Sequence, residues 1–144
     1  MDEKLVEQAL EAYLKKENHK KERANKEAQK KLEKTLKEIT TEIFASFLLA
    51  KNASRHCLSC GSVKLRVPER GIISRDEVDG ETGEPVIHRY VKFYKLGQST
   101  RNTLSDYEYR VICLNCGHTS LYRSRNVVRW HEQQKRAIQG DNAE

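Results

Sequence analysis

Proline and glycine are scarce: two prolines and seven glycines occur in 144 residues, and residues 1–55 contain neither. That scarcity leaves the N-terminal part free of helix breakers. Aromatic residues make up only 7% and hydrophobic residues 37%, which argues against a large conventional core. No run approaches the roughly 18 apolar residues needed to span a bilayer. The longest apolar cluster, Ile43 to Ala50, is interrupted by Ser46. The start, Met1-Asp2-Glu3-Lys4, continues into charged helical sequence without an apolar secretory core. The chain is therefore expected to be intracellular, in the cytoplasm or a nucleus, with no membrane contact.

Charge is plentiful. Lys and Arg number 27 against 21 acidic residues, a formal charge of +6. Such a balance favours a polyanionic partner, although solubility alone also accounts for a charge of this size.

Residues 1–55 are rich in Glu, Lys, Ala, Leu and Gln, and the composition predicts helix. Apolar positions recur at Leu5/Val6, Ala9/Leu10 and Tyr13/Leu14. They recur again at Ala24, Ala28, Leu32, Leu36, Ile39, Ile43 and Phe47, spaced by three or four along one face. Glu17–Lys21, Glu22–Lys26, Glu27–Lys31 and Glu33–Lys37 stand in the favourable i,i+4 order, each worth about 0.2–0.5 kcal/mol on an exposed helix. The face between Lys15 and Ala24 is nearly all polar, so Asn18-His19 or Asn25 is a candidate break. A helix this long needs lateral support, which points to coiled-coil self-association or docking on a protein partner through residues 1–50.

Residues 56–125 switch to a period of two. Val63, Leu65 and Val67 alternate with Lys64 and Arg66 until Pro68, a half-buried strand. Further strands are expected from Gly71 to Ser74, Val86 to Tyr94, Tyr107 to Cys113 and Thr119 to Tyr122. An acidic turn spans Asp76 to Pro85, and a loop centred on Gly97 spans Leu96 to Thr103. Residues 126–144 read as a final helix and tail, with Asn126 as N-cap, Val127, Trp130, Ala137 and Ile138 as an apolar stripe, and Gly140 as the stop.

The four cysteines come as two pairs, His56-Cys57-Leu58-Ser59-Cys60-Gly61 and Ile112-Cys113-Leu114-Asn115-Cys116-Gly117-His118. Each CxxCG segment has the form of a metal knuckle: a short turn aims both sulfurs inward, and Gly admits the backbone conformation that lets amides approach sulfur. Cys57, Cys60, Cys113 and Cys116 are thus expected to bind one structural Zn2+. A disulfide scaffold needs an oxidising compartment, a thioredoxin-like pair needs a βαβ context, and an iron–sulfur site remains an alternative for the same ligands. Four thiolates leave no open position for catalysis by the metal. His56 and His118 flank the knuckles, His88 lies on a strand, and His19 and His131 are expected to face solvent. No catalytic triad order, paired carboxylates or phosphate-binding Gly-rich loop is evident, and the chain is not expected to be an enzyme.

Cations interleave with aromatics through the β region and into the last helix: Lys64, Arg66, Arg89, Tyr90, Lys92, Tyr94, Lys95, Arg110, Tyr122, Arg123, Arg125 and Arg129. Cations meet phosphates and exposed rings stack on unpaired bases, so these residues are the candidate nucleic-acid surface. The acidic turn should lie away from it. The same tyrosines could instead cap a thin core.

The paired knuckles, above all Cys113-Leu-Asn-Cys-Gly-His118 after an aromatic strand, resemble the zinc-ribbon superfamily of transcription and RNA-processing proteins. A weaker resemblance is to the ribonuclease P subunit family of Rpp21 and Rpr2, in which N-terminal helices precede a zinc ribbon that supports an RNA-containing complex. The resemblance implies Cys57, Cys60, Cys113 and Cys116 as ligands, with Arg110 and Tyr122 flanking the second knuckle.

The expected fold class is α+β. A long N-terminal helical segment (residues 1–55) precedes a four-cysteine zinc ribbon (56–125) with a β insertion at about 68–103, then a short C-terminal helix (126–144). The expected function is a non-enzymatic factor binding nucleic acid in transcription or RNA metabolism. The alternative is a protein–protein adaptor docking on a polymerase or another large assembly.

Overall fold

The computed structural model describes residues 2–97 and 102–142, apart from the side chains of Arg75, Asp141 and Asn142. The fold is α+β, with two small sheets and three helices among the described residues. The expected loop from Leu96 to Thr103 lies partly outside them. The chain divides into two compact units, Met1–Lys34 and Thr35–Glu144. That division falls near the end of the first helix, well before residue 55.

Helix α1, Glu3–Leu36, runs 34 residues, about 50 Å at 1.5 Å per residue. It passes through Asn18 and Asn25 without a break, because neither residue is a strong enough helix breaker against its Glu/Lys/Ala-rich neighbours. From Asp2 to Lys31 nearly every side chain is exposed, including Leu5, Val6, Leu10, Tyr13 and Leu14. Its close charged contacts include Glu17–Lys20 and His19–Glu22, both i,i+3 at 3.9 Å.

The break in the N-terminal helical region comes at residues 37–40. Leu36 and Ile39 are fully buried, and their carbonyls accept from the Tyr109 hydroxyl (2.9 Å) and the Val91 N–H (2.9 Å). Those long-range bonds take carbonyls out of the helical ladder. Thr40 then caps helix α2, Thr41–Ala50, its hydroxyl accepting from the Ile43 N–H. The apolar segment therefore belongs to the second unit as a helix of its own.

In that unit strand β5, Tyr107–Cys113, is the centre of the larger sheet. Strands β1, Leu65–Arg66, and β4, Phe93–Lys95, lie one after the other along one edge of β5, and β6, Thr119–Arg123, lies along the other, all antiparallel. Between β1 and β4 the chain leaves the sheet as a hairpin of β2, Glu69–Val78, and β3, Pro85–Val91. The Lys92 N–H bonds to the Pro68 carbonyl at 2.8 Å and closes the hairpin base. This bond interrupts the single strand expected from Val86 to Tyr94, and it trims the insertion from 68–103 to residues 69–91. The acidic turn sits at the far end, where Asp79 and Glu84 close it and Gly83 takes a positive φ of 70°.

Helix α3, Ser124–Asn142, begins before Asn126 and runs through Gly140. Asn126 is not its cap: the chain already turns helical at buried Ser124, whose hydroxyl donates to the Leu104 carbonyl of a 3-10 turn, Leu104–Asp106. Helices α2 and α3 cover the face of β5 that carries Tyr107, Tyr109 and Val111. Phe44 packs on Tyr109 and Tyr122, ring centroids 5.7 Å away in both cases, and Phe47 packs on Trp130 at 5.9 Å. With Val91, Val127 and Val128 these rings form a thin, aromatic-rich core.

Candidate metal centre and exposed sheet face

The two CxxCG segments fold alike. Gly61 donates its N–H to the Cys57 carbonyl and Gly117 to the Cys113 carbonyl, 2.9 Å in each, and the Cys57 and Cys113 N–H groups reach the carbonyls of Ser62 and His118. Gly61 and Gly117 carry positive φ values of 76° and 82°, the left-handed conformation that L residues resist. One knuckle precedes β1 and the other joins β5 to β6. Pairing Leu65 with Cys113 sets them face to face.

The result is one cluster of four sulfurs, all within 4.8 Å of one another. Cys57 Sγ lies 3.5 Å from Cys116 Sγ, and Cys60 Sγ lies 3.7 Å from Cys113 Sγ. Sulfurs bound at about 2.3 Å to one tetrahedral ion stand roughly 3.8 Å apart, so the cluster is built for a single metal ion. In each knuckle the first cysteine is buried and the second exposed, and none is disulfide-bonded. Donors surround the sulfurs. The Asn115 amide reaches Cys60 Sγ at 3.4 Å and, with the Ser62 N–H, lowers that thiol to about 6. The Cys60 N–H, helped by the Ser59 N–H, lowers Cys57. At Cys116 the His118 N–H pulls downward, but the neighbouring Cys57 and Cys60 sulfurs outweigh it and push the thiol up to about 11. Four thiolates this close repel one another, and a bound cation removes that conflict.

The histidines stay outside the cluster. His56 and His118 are exposed, and His88 pairs with Glu77 at 3.1 Å. His131 is half-buried between α2 and α3, not solvent-facing as expected, and desolvation, with Lys135 nearby, lowers its pKa.

The twelve candidate contact residues separate. The face of the larger sheet away from the helices carries Arg66, Tyr94, Arg110 and Arg123, placed by the pairings Arg66–Ile112, Tyr94–Glu108 and Glu108–Arg123. Lys92 joins them, its Nζ 4.8 Å from the Tyr94 ring centre, and the Arg110 guanidinium stacks on the same ring at 3.7 Å. Lys64 is exposed just before β1. Arg89 lies on the hairpin, while Arg125 and Arg129 are exposed on α3. Lys95 faces the other way and bonds Asn102. Tyr90 is buried against Phe93, and Tyr122 is half-buried against Phe44 and Phe47, so both rings belong to the helix-covered side of the sheet. Sequence alternation cannot separate a core tyrosine from a surface one when both neighbour cations.

Two members were not legible. Glu108 is 4% exposed and holds Arg110 at 2.9 Å, which fixes the guanidinium over Tyr94. Asn115 looks like an ordinary turn residue, and only its contact with Cys60 shows its part. No described helix is long and apolar enough to cross a membrane. The chain matches no protein-family model, no curated protein and no solved structure.

Proposed function

We propose that the protein is a non-catalytic zinc-ribbon factor of transcription or RNA metabolism that binds nucleic acid through the outer face of its larger sheet. The observation that carries this reading is the segregation of the two sheet faces. Helices fill one, and the other carries Arg66, Lys92, Tyr94, Arg110 and Arg123, with Glu108 paired to Arg110 as the buried carboxylate on that face. Guanidinium and ammonium groups neutralise phosphates, and the stacked Tyr94–Arg110 pair offers a flat surface to a base. The four-thiolate cluster suits Zn2+, which takes tetrahedral sulfur sites without redox chemistry, and the ion would clamp β1 to the β5–β6 turn. The kinship to zinc-ribbon proteins that the knuckles suggest accords with this reading.

Metal analysis of the purified chain should find about one zinc per molecule. Titration with labelled single- and double-stranded oligonucleotides should show affinity that falls steeply as salt rises. No binding even at low salt would reject direct recognition.

A second reading has its own observation. Leu5, Val6, Leu10, Tyr13 and Leu14 are 51–64% exposed on α1, which suits a docking helix of an adaptor on a large protein assembly. Partner capture that survives nuclease treatment and disappears when residues 1–34 are removed would favour it.

A further inference from the structure

We infer that the cleft at the base of the β2–β3 hairpin seats a phosphodiester of a bound nucleic-acid strand. This rests on the nucleic-acid reading above and extends its path off the sheet. The cleft has a volume of about 390 Å³ and is lined by Arg66, Arg70 and Arg89 with Glu69, Gly71 and Ile87. That size lies in the range of sites for small organic groups and exceeds what a lone ion needs. Among the described residues none of the three guanidiniums has an ion-pair or hydrogen-bond partner. The carboxylate in their midst, Glu69, already accepts from the Thr41 hydroxyl. Three unmatched planar forks outnumber the one carboxylate and leave a site complementary to a phosphate.

Local structure keeps the site open. Gly71 faces Arg89 across the hairpin and contributes no side chain. A Cβ there would come within 3.0 Å of Ile87 Cγ2 and encroach on the floor. Arg66 belongs both to the cleft and to the outer sheet face, so the two cationic surfaces are continuous. The acidic turn begins at Asp76, seven residues along β2 from Glu69 and about 23 Å at strand spacing, and its Glu77 is already paired with His88. The hairpin is thus electrically divided, cationic at its root and anionic at its tip. A strand crossing the sheet face is drawn to the root.

The test measures binding of a fluorescein-labelled mixed-sequence single-stranded oligonucleotide to the full, metal-loaded chain over a range of salt. Arg70→Ala with Arg89→Ala should lower the slope of log affinity against log salt by roughly 0.7, the share of the one phosphate that is no longer neutralised. Lys135→Ala with Arg136→Ala, an equal loss of charge on α3, should leave the slope unchanged. Arg70→Lys with Arg89→Lys should keep the slope, which guards against a folding artefact together with unchanged metal content and melting. Wild-type binding with an unaltered slope in the cleft variant would overturn the seat and leave the sheet-face reading standing. Equal slope losses in the cleft and α3 variants would overturn it in favour of a diffuse charge effect. No binding by the wild-type chain would overturn both readings.

Discussion

Tyr109 ties the larger sheet to the break between the first two helices. Its ring is fully buried under Phe44, and its hydroxyl donates to the Leu36 carbonyl at the break between helices. Tyr109→Phe keeps the ring but leaves that carbonyl only its longer bond from the Ile39 N–H, at 3.4 Å, which should cost about 0.5–1.5 kcal/mol in denaturant unfolding of the metal-loaded protein. Burial also raises the Tyr109 pKa above the usual 10. The unfolded tyrosine therefore ionises first, and stability that is fully present below pH 10 is lost as pH rises beyond it. The Phe variant should lack this contribution, visible as a shallower fall of stability above pH 10. At the metal centre, Cys113→Ser removes a buried ligand that is also the end of β5. Metal content should drop and the melting temperature should fall, since metal binding contributes folding free energy. A full metal complement with unchanged melting would refute the assignment of that sulfur.

At the scale of elements, the knuckles and the hairpin differ in how they are specified. Each knuckle is local: CxxCG places two sulfurs, a reversing turn and a left-handed glycine within five residues. A side chain at Gly117 would meet nothing within 4 Å, so its substitution tests backbone strain alone. Gly117→Ala should destabilise the metal-loaded protein by about 1–2 kcal/mol, and Gly117→Asn by less, because Asn tolerates the left-handed region better. Equal stability of the Ala variant and wild type would show that the turn relaxes without cost. The hairpin is less local. Its strands were legible in outline from β-branched residues, but its root is set by Lys92 reaching the Pro68 carbonyl, a contact between residues 24 positions apart in the chain. The same holds for the break at residues 37–40, where a continuous helical pattern yields to bonds from β3 and β5.

For the whole molecule, the two compact units predict separable behaviour. Removing residues 1–34 should leave the metal content and melting of the remainder unchanged, because the described core lies in Thr35–Glu144. Loss of metal binding on that truncation would show that the division is not one of stability. The same truncation bears on function: the sheet-face reading expects oligonucleotide affinity to persist, whereas the adaptor reading expects partner capture to vanish.

The sequence by itself determined the α+β class, strand β5 to the residue, and the four cysteines as one ligand set, because each depends on short-range pattern: glycine-free helix formers, alternation by two, and CxxCG spacing. Tertiary structure alone decided which tyrosines are core and which are surface, where the first helix ends, and that Arg66, Arg70 and Arg89 share a cleft. Those outcomes depend on which strand edge or helix face arrives opposite a residue. Antiparallel register sets Tyr94 and Arg110 together on one face and Tyr109 and Tyr122 on the other, and side-chain chemistry alone does not distinguish the two.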